Sequence, residues 1–401
     1  MDKLSILDRL LTPAILLCMI AGVLMGNFVP GVQAAFDTAQ IQGVSAPIAA
    51  GLIVMLWPIL TKVDYTSLPL LFPSSSSSSP SSSSRSLHTT LPPLLLALAL
   101  NWLLAPLLML GLAWATLPDL PAYRAGVLMV GLARCIAMVA VWNALAQGDA
   151  QWCAVLILGN GVLQVALYAP YAVLFVDVLG GGGEVRLAYG DVAVSVLIYL
   201  GIPLAAGILT RYTLLRLTSP AFFHTRFLPL FSPLALLGLL YTVLVMFAYQ
   251  GREIVHALGL VFRVFVPLVL YFVITWGATF ALVWWLGRRE CTREKTGEGE
   301  KRVWTYEMAV TQSFTAASNN FELAIAVTIA VYGVGSQQAL AATIGPLVEV
   351  PVLLGLTWVA LYLRRKLPWG GAERGQGESA GEVPELESGN SQEGASEECE
   401  K

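Results

Sequence analysis

Phe314-Thr315-Ala316-Ala317-Ser318-Asn319-Asn320-Phe321-Glu322-Leu323 breaks an apolar run at its middle. The run extends over residues 306–332. That is long enough to cross a bilayer, since about 20 apolar residues span a hydrocarbon core of ~30 Å. Hydroxyls, amides and a carboxylate at such a depth are costly in lipid. They are tolerated where the backbone is buried in protein or lines a cavity. A second stretch has the same character: Gly131-Leu132-Ala133-Arg134-Cys135 stands in the middle of an apolar run over residues 123–146.

Eight further apolar stretches surround these two, at about 11–29, 44–60, 91–117, 152–179, 192–210, 231–249, 261–287 and 339–363. The composition agrees with ten membrane spans. Of 401 residues, 56% are hydrophobic and 12% charged, half the charged share of a soluble domain. That argues against a cytosolic enzyme. A net charge of −3 argues against a nucleic-acid partner. His88, His224 and His256 lie in polar stretches, so a histidine-based metal or catalytic site is not expected. Cys18, Cys135, Cys153, Cys291 and Cys399 form no CxxC pair, so neither a disulfide framework nor a structural zinc is expected. No cofactor is expected. The apolar run from Leu11 to Val29 is long enough to remain as a spanning helix rather than a cleaved signal.

Lys and Arg set the orientation. With the N-terminus in the cytosol, seventeen of them between Lys3 and Arg374 fall in inside segments, and only Arg124, Arg186, Arg252 and Arg263 fall outside. Both termini are then cytosolic. The ten spans divide into two five-helix repeats, over 1–179 and 180–366. An odd number of spans per half inverts the second half, and such repeats place a substrate site near mid-membrane where matching helices are interrupted. The interruptions fall in the fourth span of each half. The fold class expected is an all-α polytopic membrane protein with ten transmembrane helices in two inverted repeats. A serine-rich cytosolic insert (74–86), a charged cytosolic loop (288–305) and an acidic tail (367–401) lie outside the repeats. The serine run reads as a spacer and the tail as disordered, because neither can bury enough apolar surface to fold.

Three ionisable groups lie deep in spans: Arg134, Glu322 and Glu349. Three charges at one depth on three helices suggest a shared site; the structural alternative is an ion pair that locks the bundle. Two carboxylates face one guanidinium, so one proton makes the cluster neutral. Glu322 or Glu349 is therefore expected to load and unload a proton. Na⁺ could serve instead, with Asn319, Asn320 and carbonyls as oxygen ligands. Cys135 adjoins Arg134, and a nearby cation favours the nucleophilic thiolate; a buried small hydrophobe is the plain alternative. Glu349 sits between Pro346 and Pro351, each of which frees a backbone carbonyl. Asn143, Asn160 and Gln164 either join helices or line a cavity.

Several motifs resemble the arsenite efflux permeases of the bile acid, arsenite and riboflavin transporter superfamily. Gly131-Leu132-Ala133-Arg134-Cys135-Ile136-Ala137-Met138, followed by Val141-Trp142-Asn143, is similar to their fourth-helix signature. Phe314 to Ala326 resembles that of the ninth helix, and Ile344-Gly345-Pro346-Leu347-Val348-Glu349-Val350-Pro351-Val352 that of the tenth. The resemblance runs from about residue 4 to 366. It implies discontinuous helices four and nine that cross, extrusion of trivalent arsenite (in some members antimonite) against proton entry, and arsenical resistance. The family's essential cysteine maps to Cys135 and its ninth-helix glutamate to Glu322; Arg134, Asn319, Asn320, Glu349, Asn143 and Asn160 complete the expected site. Arsenic, a metalloid, would be the species met by Cys135. Gly161 stands where the family pattern leads one to expect a small hydroxyl residue. The expected partners are arsenite, protons and the lipid bilayer, and the expected location is the plasma membrane. The nearest competing reading is a sodium-coupled organic anion symporter of the same superfamily. An intramembrane enzyme using Cys135 is disfavoured by the lack of a membrane histidine.

Overall fold

The computed structural model describes residues 6–36, 40–41, 44–63, 87–181, 187–256, 258–294 and 302–369. The serine-rich insert, the centre of the charged loop and the tail beyond residue 369 lie outside the described residues. In chain order the helices are α1 (Ile6–Phe28), α2 (Val32–Phe36), α3 (Ala46–Lys62), α4 (Leu87–Ala99), α5 (Ala105–Thr116) and α6 (Pro121–Leu132). Then come α7 (Met138–Leu145), α8 (Ala150–Ala172), α9 (Tyr189–Val196), α10 (Ile202–Leu217) and α11 (Pro220–Phe222). The last are α12 (Leu228–His256), α13 (Leu258–Glu294), α14 (Tyr306–Ala317), α15 (Phe321–Tyr332) and α16 (Gln337–Lys366). One antiparallel pair of two-residue strands, β1 (Gln40–Ile41) and β2 (Val44–Ser45), is the only sheet among the described residues. The ten apolar stretches of the sequence are largely helical, with 44–45 in β2 and with breaks at 133–137 and 318–320. Among the described residues, six helical stretches are long and apolar enough to cross a membrane, such as Ala150–Val178 and Gln337–Lys366.

Wider π turns join neighbouring helices. Three of them, Leu100–Leu104, Leu197–Gly201 and Phe223–Phe227, lie one turn before Pro106, Pro203 and Pro229. A proline has no N–H, so the carbonyl four residues earlier loses its partner. The ladder relaxes to wider bonds, and Ala105 N–H donates to Leu100 O. The carbonyl released by Pro106 belongs to Trp102, and the Tyr171 hydroxyl donates to it at 3.0 Å. Elsewhere the helices begin on side-chain caps. Asp149 accepts from Gln151 and Trp152 N–H at the start of α8, Thr305 from Met308 N–H before α14, and Ser336 from Ala339 N–H before α16.

The helices pack in two groups. In one, α12 lies on α1 and α3, and α3 on α10. Small residues let these backbones meet: a Cβ on Gly26 would fall 2.1 Å from the Ala248 carbonyl oxygen, and one on Gly251 2.6 Å from that of Val23. In the other group α13 packs on α14 and α16, and α16 on α6 and α15. Every residue of α14 except Glu307 is buried, as are the first nine of α15, so their polar side chains face protein rather than lipid.

The second group is tied at both ends. At one, Tyr306 donates to Ala146 O at 2.9 Å, Asp149 N–H donates to Glu307 O at 3.3 Å, and Arg364 pairs with Glu307 at 3.4 Å. At the other, Arg124 donates to the carbonyls of Leu117, Pro118 and Gly180, each at 3.0 Å. There Arg263 also grips the Asp119 carboxylate.

Candidate functional site

The two interruptions meet. Between α6 and α7 the backbone opens at Ala133, and between α14 and α15 at Ser318, both in extended conformation. Arg134 and Asn319 pair there as an isolated antiparallel bridge. Asn320 N–H donates to Ala133 O at 3.0 Å and Cys135 N–H to Ser318 O at 3.4 Å.

Four broken helix ends at one place leave many backbone groups without intrahelical partners. The side chains at the crossing supply them. The Asn319 amide donates to Val130 O at 2.9 Å and Ala133 O at 3.1 Å, closing the end of α6. Asn320 Oδ1 accepts Leu323 N–H at 3.1 Å and starts α15. Cys135 Sγ accepts Val139 N–H at 3.3 Å and starts α7. Small polar residues stand in these runs because each broken turn needs a local donor or acceptor.

Arg134 is fully buried. Its guanidinium bonds the Tyr271 hydroxyl at 3.0 Å, Ala316 O at 3.4 Å and Gly131 O. It makes no ion pair with Glu322 or Glu349. The reason is local. Gly131 and Ala316 lie in the last turns of α6 and α14, where carbonyls lack partners and the helix dipole is negative. One cation completes both ends.

Glu349, in the middle of α16, accepts the backbone N–H of Asn319 at 3.2 Å. Glu322 lies in the first turn of α15. Both are buried, and each has one carboxylate oxygen without a partner. Ser318 Oγ, Asn319 Oδ1 and Asn320 Nδ2 are likewise buried and unpartnered. The crossing thus offers donors and acceptors together, beside one thiol.

The other two expected residues make interhelical bonds instead. Asn143 accepts from Thr311 at 2.8 Å and donates to Asp149 O at 3.3 Å, tying α7 to α14 and the start of α8. Asn160 accepts from Trp102 Nε1 at 3.1 Å and donates to Asn101 at 3.5 Å, within the π segment. Neither hydrogen-bonds the crossing segments. Two residues do so that the sequence left undecided or unmarked. Gln164 of α8 accepts the Arg134 backbone N–H at 2.5 Å. Tyr271 of α13 accepts from Arg134 and donates to Ala316 O at 3.2 Å, so that it touches both interrupted helices. A tyrosine at mid-span, away from the interfacial belts where tyrosines collect, is the signal that could have found it.

A model of the Sodium Bile acid symporter family matches residues 47–257. The arsenical-resistance protein Acr3 of Corynebacterium glutamicum is 38% identical over 370 residues, 91% of each chain. An uncharacterized transporter of Synechocystis is 30% identical over 372 residues, 88% of each chain. The Acr3 of Alkaliphilus metalliredigens is 28% identical over 375 residues, 90% of this chain and 94% of its own. The apolar helices make this an integral membrane protein, and the matches over nearly its whole length make it a transporter rather than an enzyme. The chain belongs to the Sodium Bile acid symporter family, with the Acr3 arsenical-resistance proteins among its relatives.

Proposed function

We propose that the chain exports trivalent arsenite from the cytosol in exchange for protons. The observation that carries the reading is the position of Cys135. It stands in the bridged segment of one broken helix, backbone-bonded to the other, among buried polar atoms without partners. Arsenite near neutral pH is an uncharged trihydroxy acid. A charged well does not hold it, but trivalent arsenic favours sulfur, and its hydroxyls need both donors and acceptors. One thiol gives a reversible bond suited to a carrier; several convergent thiols would give a trap. The names of two relatives, arsenical-resistance proteins, support the same cargo.

In this reading the Cys135 thiol condenses reversibly with arsenite from the cytosolic side. The S–As bond forms as one As–OH bond breaks, the thiol proton leaves with that hydroxyl as water, and Asn319 and Asn320 bond the two hydroxyls that remain. Hydrolysis of the S–As bond returns the cargo. Protonation of Glu322 from outside then releases the cargo and resets the carrier. Each charge moving inward through 100 mV yields about 2.3 kcal/mol, roughly a 50-fold gradient. The scaffold is two inverted five-helix repeats of ten spans, with both termini cytosolic, in the plasma membrane. The two tied ends of the second helix group support that topology: each gathers segments assigned to one side. Sodium-coupled symport of an organic anion is the second reading, favoured by the family match and by the oxygen-rich crossing. The test is arsenite accumulation in everted vesicles. It should follow an imposed pH gradient, persist when Na⁺ is replaced, and vanish in Cys135→Ser. Uptake that tracks Na⁺ and ignores Cys135 would select the second reading.

A further inference from the structure

Helix α8 presents Gly161 and Gln164 three residues apart, on one face. Gln164 is fully buried. The Arg134 backbone N–H is a donor only, so the amide oxygen of Gln164 must face it, as it does at 2.5 Å. That bond fixes which way the amide lies. Nε2, carrying two donors, then projects from the other side of the amide and finds no partner. At Gly161 the helix stands off from the crossing: a Cβ there would meet only Ile136 Cγ2, at 3.9 Å. Ile136 follows Cys135 directly. The α8 face that meets the thiol-bearing segment therefore combines an open position with an oriented, unsatisfied amide donor. A buried donor left unpaired is costly, and nothing in the packing explains its retention. A leucine or a methionine would fill a similar volume but would lose the bond to Arg134, whereas glutamate keeps an oxygen for it at little change in size.

Resting on the arsenite reading above, we infer that Gln164 is a cargo contact. Its Nε2 donates to a hydroxyl oxygen of the oxyacid held at Cys135, and its Oε1 stays locked on Arg134. The site then recognises a small neutral metalloid acid by its hydroxyls as well as by its arsenic–sulfur bond. A trivalent arsenical with one hydroxyl replaced by methyl should be a poorer cargo for the parent chain.

The experiment uses the full chain in everted vesicles, with arsenite and monomethyl arsenite as competing cargoes. Gln164→Glu keeps an oxygen for the Arg134 N–H and replaces the two-donor Nε2 with an oxygen that is acceptor-only when the carboxyl is ionised. It is expected to raise the KM for arsenite about tenfold with the maximal rate within about twofold, and to shrink the preference for arsenite over the methyl compound by a similar factor. If the glutamate variant does not reach the membrane, Gln164→Met is used instead. It gives up the Arg134 acceptor as well, so only the loss of preference for arsenite over the methyl compound is read, which a lost backbone bond alone does not produce. Parent-like KM and preference in the variant overturn the contact, as does a fall in rate alone, which marks a structural role. A parent chain that moves no arsenite overturns the cargo reading itself, so the two failures are distinguishable.

Discussion

The backbone N–H of Asn319 donates to the carboxylate of Glu349 at 3.2 Å, joining the bridge between the broken helices to the middle of α16. Asn319 is fully buried, so no water replaces that acceptor. Glu349→Ala should leave the N–H unpaired and cost about 1–3 kcal/mol of stability. Glu349→Gln keeps an acceptor oxygen and should unfold near the parent temperature. Thermal unfolding of the three proteins in detergent checks this; equal losses in both variants would show that the charge, not the bond, matters.

Cys135→Ser separates the two roles of the sulfur. Sγ accepts Val139 N–H in the first turn of α7, and a serine hydroxyl can accept the same bond. The variant should insert and unfold like the parent, within about 1 kcal/mol. Arsenite export should fall to background because oxygen is a poor ligand for trivalent arsenic. Export at the parent rate would remove the thiol from the mechanism.

Glu322→Gln tests the proton. The carboxylate lies in the first turn of α15 with one buried oxygen unpartnered, so the neutral isostere loses no hydrogen bond seen there. The variant should reach the membrane, and any residual arsenite flux should no longer respond to an imposed pH gradient. A parent-like gradient response would move the proton to Glu349.

Much of this was readable from residues alone, for a physical reason. Lipid tolerates neither a broken backbone nor a charge, so Arg134-Cys135 and Ser318-Asn319-Asn320-Phe321-Glu322 stood out against their apolar flanks. The residues that satisfy the breaks from other helices were harder. Gln164 makes one long-range bond to the crossing and Tyr271 two, and nothing local in α8 or α13 requires them. The charge arithmetic suggested an Arg134–carboxylate cluster, but it could not count the carbonyls freed at Gly131 and Ala316, which take the guanidinium instead. The π turns were not legible: Pro106, Pro203 and Pro229 remove a donor each, but nothing in the sequence says that the ladder widens there rather than kinks.

Gly26 measures how tightly the first helix group is built. A Cβ there would overlap the Ala248 carbonyl at 2.1 Å, and backbone cannot rotate aside as a side chain can. Gly26→Val should force α1 and α12 apart and cost about 1–3 kcal/mol, read as a lower unfolding temperature and poorer membrane yield. Gly277, in α13, has nothing within 4 Å of its Cβ position. Gly277→Ala should be neutral or stabilise by up to about 1 kcal/mol. Equal behaviour of the two variants would refute close α1–α12 packing.

Asp119 and Arg263 give a pH signature outside the membrane core. Hydrogen bonds from Arg263 hold the Asp119 carboxyl at about 2, below the value of about 3.9 in an unfolded chain. A depressed pKa means the folded state holds the ionised form more tightly. The pair's contribution is therefore complete above about pH 4 and fades as pH falls toward about 2. Both side chains are largely exposed, so solvent and salt reduce the effect. The difference in unfolding temperature between parent and Asp119→Asn should be small and flat from about pH 8 to about pH 5. Below that it should close, and at any pH it should narrow in high salt. A difference that survives unchanged near pH 2.5 would assign the stability of this turn to its backbone rather than to the ion pair.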